Sequence, residues 1–156
     1  MNRIEDEISQ TKFASARQKA VINLIYTSNW LQSRQQDFFK SYGITGQQFN
    51  ILRILKGQFP KSISGTDIKS RMLDRNSDVS RLLDRLAGKN LITKNTCPND
   101  KRAWDVLITE TGLDLLKQIS KTQKQDSILS LTDEEATALS DLLDKARSIP
   151  PGARES

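Results

Sequence analysis

The segment from Asn76 to Thr109 constrains this chain more than any other, because an amphipathic helix and a basic hairpin follow each other there without a linker. Val79, Leu82, Leu83 and Leu86 recur at helical spacing and form one apolar stripe on a helix beginning near Asn76. The opposite side carries Ser77, Asp78, Arg81, Asp84 and Arg85, all able to hydrogen-bond. Gly88 and Asn90 mark the end of the helix, since both tolerate the left-handed conformation that a helix exit often needs. Leu91–Asn95 and Arg102–Ile108 then read as paired strands, joined through the turn formers Pro98, Asn99 and Asp100. Asn99, Asp100, Lys101 and Arg102 stand at the tip. A polar helix face beside a basic hairpin suits double-stranded DNA, with the helix in the major groove and the hairpin along the backbone or minor groove.

The charge distribution supports that reading. Between Lys69 and Arg102 lie nine basic residues (Lys69, Arg71, Arg75, Arg81, Arg85, Lys89, Lys94, Lys101, Arg102) and four acids (Asp74, Asp78, Asp84, Asp100). This window holds the whole formal charge of +5, and the rest of the chain is neutral. A charge run alone is ordinarily a solvated face. Coinciding with a helix and hairpin of this kind, it reads as an electrostatic footprint for phosphates.

Composition narrows the alternatives. A chain of 156 residues fits one compact unit, or a small domain with helical extensions. Its apolar fraction of 36% is modest, and such a chain often completes its core by pairing with a copy of itself. No apolar run approaches the roughly 20 residues that cross a bilayer. The opening residues, MNRIEDEISQ, lack the apolar stretch of a signal peptide. Cys97 stands alone and can form no internal disulfide, so the expected address is the cytoplasm. Without histidine, and with one cysteine, neither a zinc site of the usual kind nor a Ser–His or Cys–His nucleophile can be built. Gly43 and Gly46 lack the context of a phosphate loop. No cofactor, no metal and no catalytic activity are expected.

Along the chain, residues 1–12 are polar and read as a flexible end, frayed or loosely helical. Residues 13–40 read as one long helix without Pro or Gly, with Val21, Leu24, Ile25, Leu31, Phe38 and Phe39 on its inward side. Tyr42 and Gly43 end it. Thr45 opens a second helix, with Gln48 completing a capping box and Phe49, Leu52 and Leu55 as core face. The stretch Gly57–Pro60 breaks that helix. A third starts near Ser64, where Asp67 can complete a cap, and the turn Leu73–Arg75 leads into the helix near Asn76. Short helix, tight turn and second helix make a helix-turn-helix whose second member reads the groove. Thr109 caps a helix over 110–128, and Thr132 boxes with Glu135 at the start of the last one, over 133–147. Residues 148–156 read as a flexible tail.

With these elements in order, the chain resembles the MarR (multiple antibiotic resistance regulator) family. ITGQQFNILRIL at 44–55, NSDVSRLLDRLAGKNLI at 76–92, NDKRAWDVLIT at 99–109 and LTDEEATALSDLL at 131–143 carry the likeness, with TETG at 109–112. It spans about residues 13–147 and rests on the order and spacing of several weak motifs. The resemblance implies a mainly α fold with a small β-wing. A winged helix-turn-helix over 44–109 would sit between dimerisation helices at 13–40 and 110–147. It implies a homodimeric transcriptional regulator, in the repressor sense, on a near-palindromic operator. Asp100 and Arg102 match the wing-tip D-x-R, where the Arg enters the minor groove and the Asp helps hold it, with Lys101 between them. Ser77, Ser80, Arg81 and Arg85 match reader-helix positions near bases and phosphates, and Arg75 and Asn76 lead into them. Such regulators are often released from DNA by small aromatic molecules bound between the dimer region and the DNA domain. Trp30, Tyr42 and Phe49 fall in segments that would line that cleft, although aromatics at helical spacing are more often core.

Two positions depart from the family pattern. Asp78 stands where an uncharged residue is more usual. It either accepts from cytosine or orients Arg81, or it is simply an acid favoured at a helix N-terminus. Cys97 lies in the wing, away from the family's peroxide-sensing position. It reads as an incidental thiol, with a redox role as the minority view. A winged-helix protein-interaction module would account for the fold as well, but would leave the concentrated charge unused. Retention on duplex DNA that falls with salt separates the two readings.

Overall fold

The computed structural model describes residues 2–97, 100–123 and 128–148. Its elements run α1 (Ile4–Glu7), α2 (Ala16–Lys40), α3 (Gly46–Gln58), β1 (Ile63–Ser64), α4 (Gly65–Arg71), α5 (Val79–Gly88), β2 (Ile92–Cys97), β3 (Asp100–Ile108), α6 (Glu110–Gln123) and α7 (Asp133–Arg147). The fold is mainly helical with one small antiparallel sheet in the order β1-β3-β2, a winged helix-turn-helix. Residues 1–122 and 123–156 form two separate compact units.

Local chemistry sets most helix starts. Thr45 Oγ1 accepts from Gln48 N–H (3.1 Å) while Gln48 Oε1 accepts from Thr45 N–H (3.0 Å), so two otherwise orphaned donors of α3 are satisfied at once. Thr132 and Glu135 repeat the arrangement at α7. At α4 the Ser64 hydroxyl accepts from Asp67 N–H (3.1 Å), the hydroxyl half of the expected cap. Thr109 Oγ1 accepts from Gly112 N–H (3.1 Å) and donates to the Asn90 carbonyl (2.8 Å), pinning the start of α6 to the exit of α5. At that exit Asn90 takes the left-handed conformation (φ 58°) and Gly88 remains helical, which divides the roles expected of the pair. Gly112 has a steric reason to be glycine: a Cβ there would lie 2.4 Å from the Leu91 carbonyl oxygen.

The core of the first unit gathers Ile51, Leu52 and Leu55 from α3, Ile68 from α4, and Leu82, Leu83 and Leu86 from α5. Ile92, Val106 and Ile108 of the sheet join them, as do Leu116 and Ile119 of α6. Burying one such aliphatic side chain contributes roughly 1.5–3 kcal/mol. β1 was not anticipated. Its two residues pair Ile63 with Val106 and Ser64 with Asp105 across β3, and two residues are too few to show an alternating pattern.

Of the two forms expected for the N-terminal end, frayed or loosely helical, α1 is the helical one. Ile4 is buried, Glu5 pairs with Lys19, and Glu7 accepts from the Tyr26 hydroxyl (2.8 Å), so α1 is clasped to α2. Hydrogen bonding from Lys19 holds the Glu5 carboxyl below its ordinary 4.5. That from Tyr26, and then from Asn2, does the same for Glu7. The long helix begins at Ala16, capped by Ser15, rather than at Phe13. α6 is described to Gln123, and the rest of its expected span to 128 falls largely outside the described residues, as do 149–156 of the tail.

Candidate nucleic-acid interface

The expected stripe of α5 is buried in full: Val79, Leu82, Leu83 and Leu86 all face the core. Ser80, Arg81, Asp84 and Arg85 are therefore turned outward, and Arg75 and Asn76 are exposed in the turn before the helix. Arg75, Arg81 and Arg85 form no ion pair with any described residue, so their guanidinium groups are available to an external anion.

The helix begins at Val79 instead of near Asn76, and this settles two residues. Asp78 is the N-cap: its Oδ1 accepts from the backbone N–H of Arg81 (3.1 Å). The carboxylate thus satisfies an orphan donor and sits where the helix dipole favours negative charge. The simpler of its two readings accounts for it. Ser77, expected on the outward face, is instead 5% exposed. Its Oγ donates to the Asp74 carbonyl (2.9 Å) and lies 3.4 Å from Gln47 Nε2, so it braces the turn.

Two residues that sequence reasoning passed over hold that turn in place. Asn50, buried on α3, accepts from the backbone N–H of Leu73 (3.0 Å), and Gln47 donates to Asp74 Oδ2 (3.0 Å). Polar residues on an otherwise apolar helix face were the available signal. Their effect is to fix the angle between α3 and the α4–α5 turn, and so the presentation of the reader helix.

The hairpin forms as expected. Ile92 pairs with Ile108, Thr96 with Trp104 and Cys97 with Asp100, with a register irregularity between Thr96 and Cys97. Pro98 and Asn99 lie outside the described residues. Asp100, Lys101 and Arg102 are described as backbone of β3, and their side chains lie outside the description. Of the other basic residues in the window, Lys89 donates to the Gly43 carbonyl and Lys94 pairs with Asp84 of α5.

The three aromatic residues expected in segments lining a ligand cleft lie in different surroundings. Phe49 stacks on Phe39 (centroids 4.5 Å), and Tyr42 packs on Phe38 (5.4 Å) while its hydroxyl meets Thr122 (2.8 Å). Both belong to the edge of the core. Trp30 lines a separate cavity of about 640 Å³ between α1 and α2, with Arg34 over its ring at 5.3 Å. A larger cleft of about 1080 Å³ opens between α2, α3 and the reader helix. Ile44, Met72 and Leu73 line it together with the polar side chains of Gln35, Gln36, Lys40, Gln47, Asp74, Arg85 and Lys89.

The signature of the MarR family matches residues 44–104, the interval that carries the helix-turn-helix and most of the wing. The HTH-type transcriptional regulator PecS of Dickeya dadantii is 26% identical over 109 residues, 67% of this chain and 66% of PecS. A MarR transcription factor from Planctomyces limnophilus superposes with a TM-score of 0.65 at 26% identity, over 86% of this chain and 95% of that one. The chain is similar to the MarR family over residues 44–104 and shares the fold of MarR-family structures over most of its length. A mutant of MarR from Escherichia coli, crystallised in complex with operator DNA, is 24% identical with a TM-score of 0.65, over 94% of this chain and all of that one. PecS is by name a transcriptional regulator, as is PapX of Escherichia coli, 22% identical over 93 residues, 60% of this chain and 57% of PapX. The matched segment spans just under two thirds of the length of PecS.

Proposed function

We propose that this chain is a homodimeric, sequence-specific MarR-family regulator of transcription that binds double-stranded DNA and acts as a repressor in the cytoplasm. The observation that carries the reading is the division of α5, whose whole apolar stripe is buried while Arg81 and Arg85, with no ion pair among the described residues, stand on its outer side. Arg81 and Arg85, with Ser80, meet base edges and phosphates in the major groove. Arg75 and Asn76 flank them, and Asp100, Lys101 and Arg102 of the wing reach the backbone and minor groove. The operator complex of the Escherichia coli relative supports the placement. Among the described residues no helix is long and apolar enough to cross a membrane, which suits work on DNA.

Exposed Val21, Leu24 and Ile25 of α2, and Leu139 and Leu142 of α7, support the dimer. Each row of apolar residues is covered by a second copy, and two-fold symmetry then calls for two equal half-sites about one helical turn apart. Selection of binding sites from a random duplex pool tests the whole reading. A near-palindrome is the expected result, bound less tightly as salt rises. A pool without an inverted repeat would leave a non-specific binder or an interaction module.

An effector, if it acts as in relatives, has its seat in the larger cleft rather than at Trp30, Tyr42 and Phe49. Three cations (Lys40, Arg85, Lys89) against one carboxylate (Asp74) favour an anionic ring such as an aromatic carboxylate. A molecule there touches Arg85 and so competes with DNA.

A further inference from the structure

The register of the hairpin places Ile92, Lys94 and Thr96 of β2 on the same side of the sheet as Ile108, Val106 and Trp104 of β3. Ile92, Val106 and Ile108 are core residues, so Lys94 occupies a core-facing position at the point where the hairpin leaves the core. A lysine there needs partners, and it has two. Its Nζ lies 4.0 Å from the centre of the Trp104 ring and forms a salt bridge with Asp84 of the reader helix. The Lys94 side chain is only 16% exposed, whereas that of Asp84 is 65% exposed. The ammonium is thus held between an indole of the wing and a carboxylate of α5.

We propose that Lys94 is a positioning residue for DNA binding: by gripping Trp104 and Asp84 it sets the angle of the wing against the reader helix. The inference rests on the reading of α5 and the wing as the two DNA-contacting elements. Val106 and Ile92 are the outermost fully buried apolar residues of the hairpin, and Trp104 beyond them packs on the core only partly buried. There this charged and aromatic clamp ties the wing to the helix. It sits one residue from Arg85 and three from Arg81, so a shift of the wing changes the span between reader and wing contacts. Withdrawal of Lys94 toward a phosphate would strip both the ring and the carboxylate of their partner, and its burial argues against that role. The clamp also neutralises the one acid that α5 presents outward among its arginines.

The test exploits the opposite charges of the two partners. Lys94→Met, Asp84→Asn, the double variant and Lys94→Arg are made in full-length protein carrying Trp30→Phe, which leaves Trp104 as the one indole. Binding to a selected operator and to unrelated duplex is measured across salt concentrations, and Trp104 emission is recorded without DNA. If long-range charge alone mattered, Asp84→Asn would strengthen binding and Lys94→Met would weaken it. The clamp predicts that each weakens operator binding about three- to tenfold, that the double variant is no worse than either single one, and that Lys94→Arg restores most of the affinity. It also predicts altered Trp104 emission in both single variants and a salt dependence like that of the wild type.

A fall of about 1 per subunit in the salt slope of Lys94→Met, with equal loss on all duplexes, would make Lys94 a phosphate contact instead. Unchanged emission in both variants would show that no clamp exists, and changed emission with full operator affinity would show that it has no bearing on DNA. A wild type that binds no duplex overturns the DNA reading and the proposal with it, while the emission measurement still reports the clamp by itself. Should Lys94→Met fail to fold, Asp84→Asn carries the same comparison from the exposed side.

Discussion

The reader helix and the long helix α2 both carry apolar side chains at helical spacing, yet they end in opposite states. α5 spends all four of its apolar stripe residues on the core of its own chain. α2, at 25 residues, buries only Phe39 and leaves Val21, Leu24 and Ile25 at 57%, 49% and 58% exposure. Apolar spacing therefore says that a helix has a partner without saying whose. For α5 the partner is the core, which frees its polar side for recognition. For α2 the proposed partner is a second copy, which makes folding of the arms depend on concentration.

The largest expected effect follows from that contrast. Leu86→Ala should destabilise the protein by about 2–5 kcal/mol in denaturant unfolding, because a fully buried side chain leaves a cavity. Replacing Leu24 and Ile25 together by Asp should leave the winged helix folded and convert the dimer to a species sedimenting near 17.6 kDa. A wild type that already sediments there would break the comparison, since α2 would then need no partner.

A smaller effect separates the outward residues of α5 from those of the wing. Arg81→Ala should weaken operator binding by about 1–3 kcal/mol and relax preference at one base position in each half-site. Lys101→Ala should weaken all duplexes alike and reduce the salt slope by about 1 per subunit. Arg102→Ala should lose most on sites with A·T-rich flanks, where the minor groove is narrow. Equal behaviour of all three across operator and unrelated duplex would mean that α5 and the wing do not divide the work.

Asp78 distinguishes a capping residue from a reading residue on the same helix. Asp78→Ala should reduce stability by about 0.5–2 kcal/mol, while Asp78→Ser, which keeps a cap, should retain both stability and operator preference. Loss of base preference in Asp78→Ser would return the residue to the reading set.

The smallest effect concerns the clasp of α1. Glu5 and Glu7 have carboxyls held below the ordinary 4.5 in the fold, by Lys19 and by Tyr26 respectively. Their contribution is thus complete above the unfolded value and is lost as pH falls through the lowered one. Proteolysis of residues 1–12 should accelerate on acidification below about 4.5 in the wild type, and much less so in Glu5→Gln/Glu7→Gln. An identical acid response in both would detach the clasp from these carboxylates.

Much of this molecule was legible because its signals are local. Thr45 with Gln48 and Thr132 with Glu135 cap helices through bonds three residues apart, and Val79, Leu82, Leu83 and Leu86 show their stripe within two turns. Alternation and turn residues placed the hairpin, and the localised charge pointed to a polyanion. Spacing left both readings of Asp78 open and turned Ser77 outward, for a related reason. Periodicity does not mark the first helical residue, and a start three residues later turns one into a cap and the other inward. Spacing read Tyr42 and Phe49 as more often core than ligand aromatics, and partners distant along the chain, Thr122 among them, hold them at the edge of the core.

The sequence by itself thus determined the order of the longer helices and the hairpin, the capped starts at Thr45 and Thr132, the apolar stripe of the reader helix and the basic segment beside it. Tertiary structure alone decided which polar residues are spent internally. Asn50 on Leu73, Gln47 on Asp74 and Lys94 between Trp104 and Asp84 join residues 23, 27 and 10 positions apart. Such pairings depend on how helices and sheet pack around one core, and no periodicity along the chain records a neighbour brought close only by folding.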